Sequence, residues 1–318
     1  MLQVRDLQVA FGRGPALVRV LNGVSLSLRS GELCGLVGES GSGKTVLALS
    51  ILRLLPQDAA IRGSIRLGGE DLLTASAARL RALRGAVVSM ILQDPMTALN
   101  PLLTVECQVG EPLTYHCGLR GHLRREQVVA LLEKVRLPGA RQLLHAYPHQ
   151  LSGGTRQRVA AAAAIAGGAR LLIADEPTTA LDASTQADFV RLLHRLARET
   201  GMAVLFISHD LHLVLELVKR VVVLYAGHIL EDGPAADVLR SPQHPYTQAL
   251  AACVPTLERR GERLPTVGGT PADPARLLPG CPFAPRCPEV APACSMMPPL
   301  VEAETGHSVR CWLRLARR

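Results

Sequence analysis

The chain has 318 residues, 48% of them hydrophobic, 19% charged and 3% aromatic. That length buries a full core without disulfides or metals to staple it, and the composition excludes an intrinsically disordered chain. The formal charge of +8 is carried by arginines scattered through helix-like stretches such as "RLRALRGAV" and "RLLHRLARET", which read as solvated helix faces and name no nucleic-acid or membrane partner.

The N-terminus, "MLQVRDLQVAFGRG", puts Arg5 and Asp6 where a secretory signal would be apolar. No apolar run reaches the roughly 18 to 20 residues that span a bilayer; "VAAAAAIAGGA" is short and closed by Arg170. The chain is expected in the cytosol, where thiols stay reduced, so its eight cysteines are expected to be unpaired.

Residues 1 to about 30 alternate apolar and polar positions, an antiparallel strand region. "LCGLVG", residues 33 to 38, is a continuous apolar run ending in glycine, the pattern of a strand buried on both faces, so a mixed sheet is expected. Further runs at "AVVSMIL", "ARLLIAD", "AVLFIS" and "VVVLYAG" alternate with helix-like stretches, which gives an α/β fold class. Residues from about 98 to 155 carry helical patterns without a strand, a helical insertion. From residue 236 onward proline and glycine become frequent, and a loop-rich extension over 236–318, unable to bury a core alone, is expected after a domain covering 1–235.

"GESGSGKT", Gly38 to Thr45, has the form G-x-x-x-x-G-K-[ST] and sits after a buried strand and before the helix-like "KTVLALSILRLL". Around Ser40 and Ser42, the glycines Gly38, Gly41 and Gly43 let backbone N–H groups curl round a phosphate chain. Lys44 reaches the terminal phosphates and the Thr45 hydroxyl can ligate Mg²⁺. "RLLIADEP" delivers Asp175 and Glu176 at a strand end, Asp175 to hold Mg²⁺ through water and Glu176 to polarise a water as general base. "AVLFISHD" ends a further strand on His209, which can contact a γ-phosphate.

"LSGGTRQRVAAAAAIAGGARLLIADEPTTALD" resembles the signature-to-Walker-B block of ATP-binding cassette (ABC) ATPases, a subclass of P-loop NTPases. The resemblance implies a core with an antiparallel β subdomain and a helical subdomain. It also implies a Q-loop glutamine, Gln93 in "LQDP", counted with Thr45 among the Mg²⁺ ligands; a D-loop aspartate, Asp182; a switch histidine, His209; and an aromatic under adenine, Phe11, which reads equally well as a core residue of its strand. The signature here is Leu151, Ser152, Gly153, Gly154, Thr155, with threonine where the family usually has glutamine. Ser152, Gly153 and Gly154 are expected to keep their contact with the ATP of a second cassette, since such cassettes dimerise head to tail around nucleotide.

"ILQDPMTALNPLLTV", "YPHQLSGG" and "PQHPYTQALAACVP", followed by the tail "GCPFAPRC…C…PPL…GHSVRCW", are similar to the ATPase subunits of oligopeptide, dipeptide and nickel importers. The resemblance implies ATP hydrolysis at the cytoplasmic face of the cell membrane and a partner ATPase, identical or a sister. It further implies two membrane permeases docking near the Q-loop and helical insertion, and an extracytoplasmic binding protein. Nucleic acid is not expected as a partner. Oligopeptides or dipeptides come first as solute, nickel or another small solute second. A soluble cassette ATPase acting on DNA or ribosomes usually has a coiled-coil insertion or two cassettes in one chain, and neither is present here. A metal-sensing protein without turnover would be favoured by a broken Walker B, but Glu176 is in place.

Cys281, Cys287, Cys294 and Cys311 are separated by five, six and sixteen residues, gaps that fit zinc poorly. A [4Fe–4S] cluster takes four cysteines, and the resemblance implies such a cluster in this tail; zinc and free thiols remain as alternatives. His307 is expected to be a loop residue, and Cys34, Cys107, Cys117 and Cys253 small core residues. Since the P-loop and Asp175 belong to a separate core, loss of a tail cysteine is expected to leave nucleotide binding little changed.

Overall fold

The computed structural model describes residues 1–93, 98–179, 181–253, 265–276 and 279–315. These fall into two compact units. One comprises Met1, Leu28–Leu33 and Thr74–Ile207, the other Leu2–Ser27, Cys34–Leu73 and Ser208–Arg318. The boundary expected after residue 235 lies inside the second of these.

In the second unit β1 (Leu2–Phe11) lies between β2 (Val18–Leu28) and β4 (Ala60–Leu67), with β5 (Glu70–Asp71) beyond β4. The alternation in β1 changes phase at Asp6, where a positive φ of 45° and a register shift against β4 let Leu2, Val4, Leu7 and Val9 all reach the core. The sequence reading includes β1 and β2 but not β4, whose "AIRGSIRL" carries three polar positions among its apolar ones.

The continuous apolar run becomes β3 (Leu33–Val37), buried from Cys34 to Val37, and pairs in parallel with β9 (Arg220–Tyr225). β10 (His228–Pro234) runs antiparallel to β9, so the expected mixture of directions is present. The extension adds to this sheet. β12 (His307–Val309) pairs with β10, and β11 (Val301–Glu304) pairs with β12. It is also less coreless than its proline content predicts. Tyr246, on the helix Pro245–Ala252, and Phe283 are 0% and 1% exposed, and their rings pack with Tyr225 at centroid distances of 4.6 to 5.5 Å. Three large rings supply the apolar area that the loops lack.

In the first unit β6 (Val88–Ile91), β7 (Leu171–Asp175) and β8 (Ala203–Ser208) are parallel neighbours in that order. The expected insertion is helical: Val105–Cys117, Gly121–Lys134 and the short Ala140–Leu143. The first two pack on each other and on the helix Gly153–Ala166. The helix Ala183–Thr200 buries Phe189, Val190, Leu193, Leu196 and Ala197, the three- and four-residue spacing of one apolar stripe. Among the described residues no helix is long and apolar enough to cross a membrane.

Two expectations about isolated residues are corrected. Cys34 is buried, but Cys107 and Cys117 are exposed and Cys253 is half-buried. Val105, Val109 and Leu113 face the core, and Cys107, two residues after Val105, lies about 200° further round the helix. His307 is a strand residue, 2% exposed, with Nε2 2.8 Å from Glu231 Oε1.

Candidate nucleotide site and the cysteine-lined extension

In the second unit the P-loop connects β3 to the helix Lys44–Leu52. Gly43 precedes that helix at φ 105°, which side chains rarely tolerate, and a Cβ on Gly38 would collide with the Leu224 carbonyl oxygen. Lys44 is 5% exposed, with Nζ donating to the carbonyls of Gly38 (2.8 Å) and Glu39 (2.9 Å). Ser42 and Gly43 are buried, whereas Ser40, Gly41 and Thr45 are exposed. A curled backbone at a helix N-terminus, with a tethered ammonium, is chemically an anion site. Phe11 closes β1 half-buried, so it is not a core residue of its strand. His209, which follows β8 in the chain, is exposed.

The first unit holds the acidic strand end. β7 ends on Asp175, 2% exposed, and the chain then turns through Glu176 at φ 44°, a left-handed conformation that costs a non-glycine residue about 1–3 kcal/mol. The Glu176 N–H donates to the Ile207 carbonyl at 2.9 Å, and Thr179 Oγ1 donates to the Glu176 carbonyl at 3.2 Å. Thr179 Oγ1 also lies 3.3 Å from the carboxylate oxygen Oε2, to which it donates. Gln93 Nε2 donates to Glu176 Oε2 at 3.0 Å, which brings together two residues 83 positions apart. Asp94 and Pro95 of "LQDP" lie outside the described residues, as does Ala180.

Ser152 caps the helix Gly153–Ala166, its Oγ accepting from the Thr155 N–H at 3.3 Å and lying 2.9 Å from Thr155 Oγ1. The threonine that replaces the usual glutamine therefore touches the signature serine itself. Asp182 caps the helix Ala183–Thr200 and accepts from Thr185 N (3.0 Å), Ser184 Oγ (2.7 Å) and Thr185 Oγ1 (2.8 Å), which hold its carboxyl down at about 2. Ser152, Gly153, Gly154, Thr155 and Asp182 line one open groove of about 440 Å³.

Cys281, Cys287, Cys294 and Cys311 line one cavity in the second unit, and the Cys281 N–H donates to the Cys294 carbonyl at 2.9 Å. Burial pushes the Cys281 thiol up to about 11 and raises those of Cys287 and Cys311. Bare thiolates are disfavoured there unless a cation offsets them. Among the described residues no group of three or more His, Cys, Asp or Glu is placed to hold a metal ion. The four thiols share a cavity without converging on one point.

The sequence reading missed three residues that matter to the P-loop. Glu39 carries an ion pair with Arg286, which lies between the first two tail cysteines, and its N–H donates to Tyr246 Oη at 2.9 Å. The tail and the P-loop are therefore not separate, contrary to expectation. A "PFAPR" pair of aromatic and arginine between two cysteines is the only local signal.

The family described as "ABC transporter" matches residues 21–179, and "Oligopeptide/dipeptide transporter, C-terminal region" matches residues 230–294. A putative peptide import ATP-binding protein of Brucella abortus (strain 2308) is 45% identical over 316 residues, covering 99% of this chain and 95% of that protein. The chain belongs to the ABC transporter family. The oligopeptide transport ATP-binding protein OppD of Escherichia coli (strain K12) is 43% identical over 312 residues, 98% of this chain and 93% of that protein. Among solved structures, the dimeric ATP-binding cassette MJ0796 bound to ADP and phosphate matches with a TM-score of 0.66 at 28% identity, covering 74% of this chain and 99% of that one. The structure of cbiO1 from Clostridium perfringens, part of the ABC transporter complex cbiONQ, matches with a TM-score of 0.64 at 23% identity, 76% of this chain and 90% of that one, and shows the fold alone. This ABC protein is thus an ATPase by family, with a P-loop of the required form.

Proposed function

We propose that this ABC ATPase is the ATP-hydrolysing subunit of an importer that drives uptake of oligopeptides or dipeptides. It would sit at the cytoplasmic face of the membrane, paired with itself or a sister ATPase, beneath two permeases fed by an extracytoplasmic binding protein. The observation that carries the reading is likeness over both parts of the chain, cassette and extension together, to proteins named for peptide import. Residues 1–235 would form the nucleotide-binding domain, with its helical insertion at about 98–155, and 236–318 the extension.

The roles follow from chemistry. Backbone N–H groups of Gly38 to Thr45 and the Lys44 ammonium would bind the phosphates, and Phe11 would lie under the adenine. Mg²⁺, when bound, neutralises phosphate charge; Thr45, the Gln93 oxygen and, through water, Asp175 would hold it. Glu176, aimed by Gln93 and by its own strained turn, would take the proton of the attacking water, and His209 would face the γ-phosphate. Ser152, Gly153, Gly154 and Thr155 would meet the partner's ATP, with Asp182 beside them. Glu176→Gln keeps the shape and removes the base, so ATP binding should persist while turnover falls by about 10²–10⁴-fold. Wild-type turnover in Glu176→Gln, measured as phosphate release, would refute the assignment of the base.

Cys281, Cys287, Cys294 and Cys311 would hold a [4Fe–4S] cluster. The support is four thiols, two buried and two half-buried, that line one cavity, at sequence gaps that fit zinc poorly. Anaerobically purified chain should contain about four irons per molecule, and one equivalent of zinc without iron would overturn this reading.

A further inference from the structure

Glu39 is held at three points. Its N–H donates to Tyr246 Oη at 2.9 Å, its carbonyl accepts from Lys44 Nζ at 2.9 Å, and its carboxylate takes both guanidinium arms of Arg286, Oε2 from Nη1 at 2.6 Å and Oε1 from Nη2 at 3.0 Å. The Arg286 side chain is 3% exposed and uses all its remaining N–H groups. Nε donates to the Gly268 carbonyl (2.6 Å), Nη1 to Tyr225 Oη (3.2 Å) and Nη2 to the Val267 carbonyl (3.1 Å), while the guanidinium stands 5.7 Å from the ring centres of Tyr225 and Phe283. A planar fork with five donors satisfied is rigid and cannot be copied by lysine.

The position of Arg286 in the chain gives this fork its meaning. It ends the turn Ala284–Arg286, next to Cys287, and the turn begins with the Ala284 N–H donating to the Cys281 carbonyl at 3.0 Å. The loop that presents Arg286 is therefore set by where Cys281 and Cys287 stand. We propose that Arg286 is a positioning residue through which the four-cysteine site sets how tightly the P-loop holds nucleotide.

With the loop in place, the Glu39 charge is neutralised and its carbonyl is fixed as the rest for Lys44, so the P-loop is ordered before phosphate arrives. With the loop displaced, Glu39 becomes a bare negative charge within the loop that must accept a triphosphate, and it competes for Lys44. The coupling is reciprocal by linkage, so bound nucleotide steadies the cysteine loop in turn. The proposal rests on the nucleotide reading of the P-loop, and on the cysteine site only as the element that places Arg286.

The test is the affinity of the full-length chain for a fluorescent ATP analogue with Mg²⁺, in wild type and in Arg286→Met, Arg286→Lys, Glu39→Gln, Cys281→Ser and their double variants. Arg286→Met should weaken binding by about tenfold, within the usual range of intersite coupling, and Arg286→Lys should recover part of it. In Glu39→Gln, whose tail residues are untouched, adding Arg286→Met should cost little, because no charge is left to neutralise. Cys281→Ser should weaken binding in wild type and much less in the Arg286→Met background, since both changes act through one link. Wild-type affinity in Arg286→Met, or the same loss from Cys281→Ser in both backgrounds, would overturn the proposal while leaving the nucleotide site standing. Absence of binding by the wild type, with Lys44→Ala indistinguishable from it, would overturn the nucleotide reading itself.

Discussion

Glu176, proposed as the general base, is held by its neighbours. Its turn is left-handed, and one carboxylate oxygen accepts from the Gln93 amide and from Thr179 Oγ1, so its placement depends in part on a residue far away in sequence. Gln93→Glu would place a second carboxylate against the first. Like charges raise a carboxyl pKa, so the base would be protonated up to a higher pH, and the acid limb of the pH–rate profile should move upward with kcat falling at neutral pH. An unmoved limb would mean that Gln93 does not face the working base. The local geometry at Gly43 and Lys44, and separately at Asp175 and Glu176, was legible in sequence, because a short motif encodes a turn between strand and helix or at a strand end. Glu39 and Arg286 were not, since a pair 247 residues apart leaves no periodicity to read.

At the scale of elements, β10 and β12 are pinned by a buried pair. Glu231, 0% exposed, accepts the N–H groups of Gln243 (2.8 Å) and His244 (2.9 Å) and meets His307 Nε2 at 2.8 Å. The hydrogen bond that His307 donates to the Glu231 carboxylate raises the pKa of His307, burial opposes it, and Glu304 and Asp237 add to the rise. A folded pKa above the unfolded value of about 6.5 means that this stabilisation is full below that pH and is lost as pH rises through the folded value. Amide exchange of β11 and β12 should therefore quicken above neutral pH, and His307→Gln should flatten that dependence. Exchange equally pH-dependent in His307→Gln, after correction for intrinsic rates, would remove His307 from this role. Neighbouring His244 behaves differently: burial pushes it down to about 3, so it stays neutral and accepts the Tyr246 N–H at 3.0 Å. The strand signal was present in "GHSV", where His307 and Val309 face inward, but a polar residue at an inward position hid it. The parallel strands β3 and β6 to β9 were legible because a short, continuous apolar run bounded by glycine or acidic residues suits a strand buried on both faces.

Over the whole molecule, some of the arginines carry helix-face charge. Arg141 pairs with Glu126 at 2.7 Å, and Arg124 and Arg125 lie 3.7 and 3.8 Å from Glu106. Such pairs at least partly open to solvent each contribute little. The extension continues the sheet through β12 and reaches the P-loop through Arg286. As proposed, ATP turnover here is spent on moving peptide. Uptake of a labelled oligopeptide into liposomes holding this chain with its permeases, partner ATPase and binding protein tests this. Uptake should require ATP and be lost in Glu176→Gln. ATP hydrolysis by that assembly with no peptide uptake, or uptake unaffected by Glu176→Gln, would contradict it.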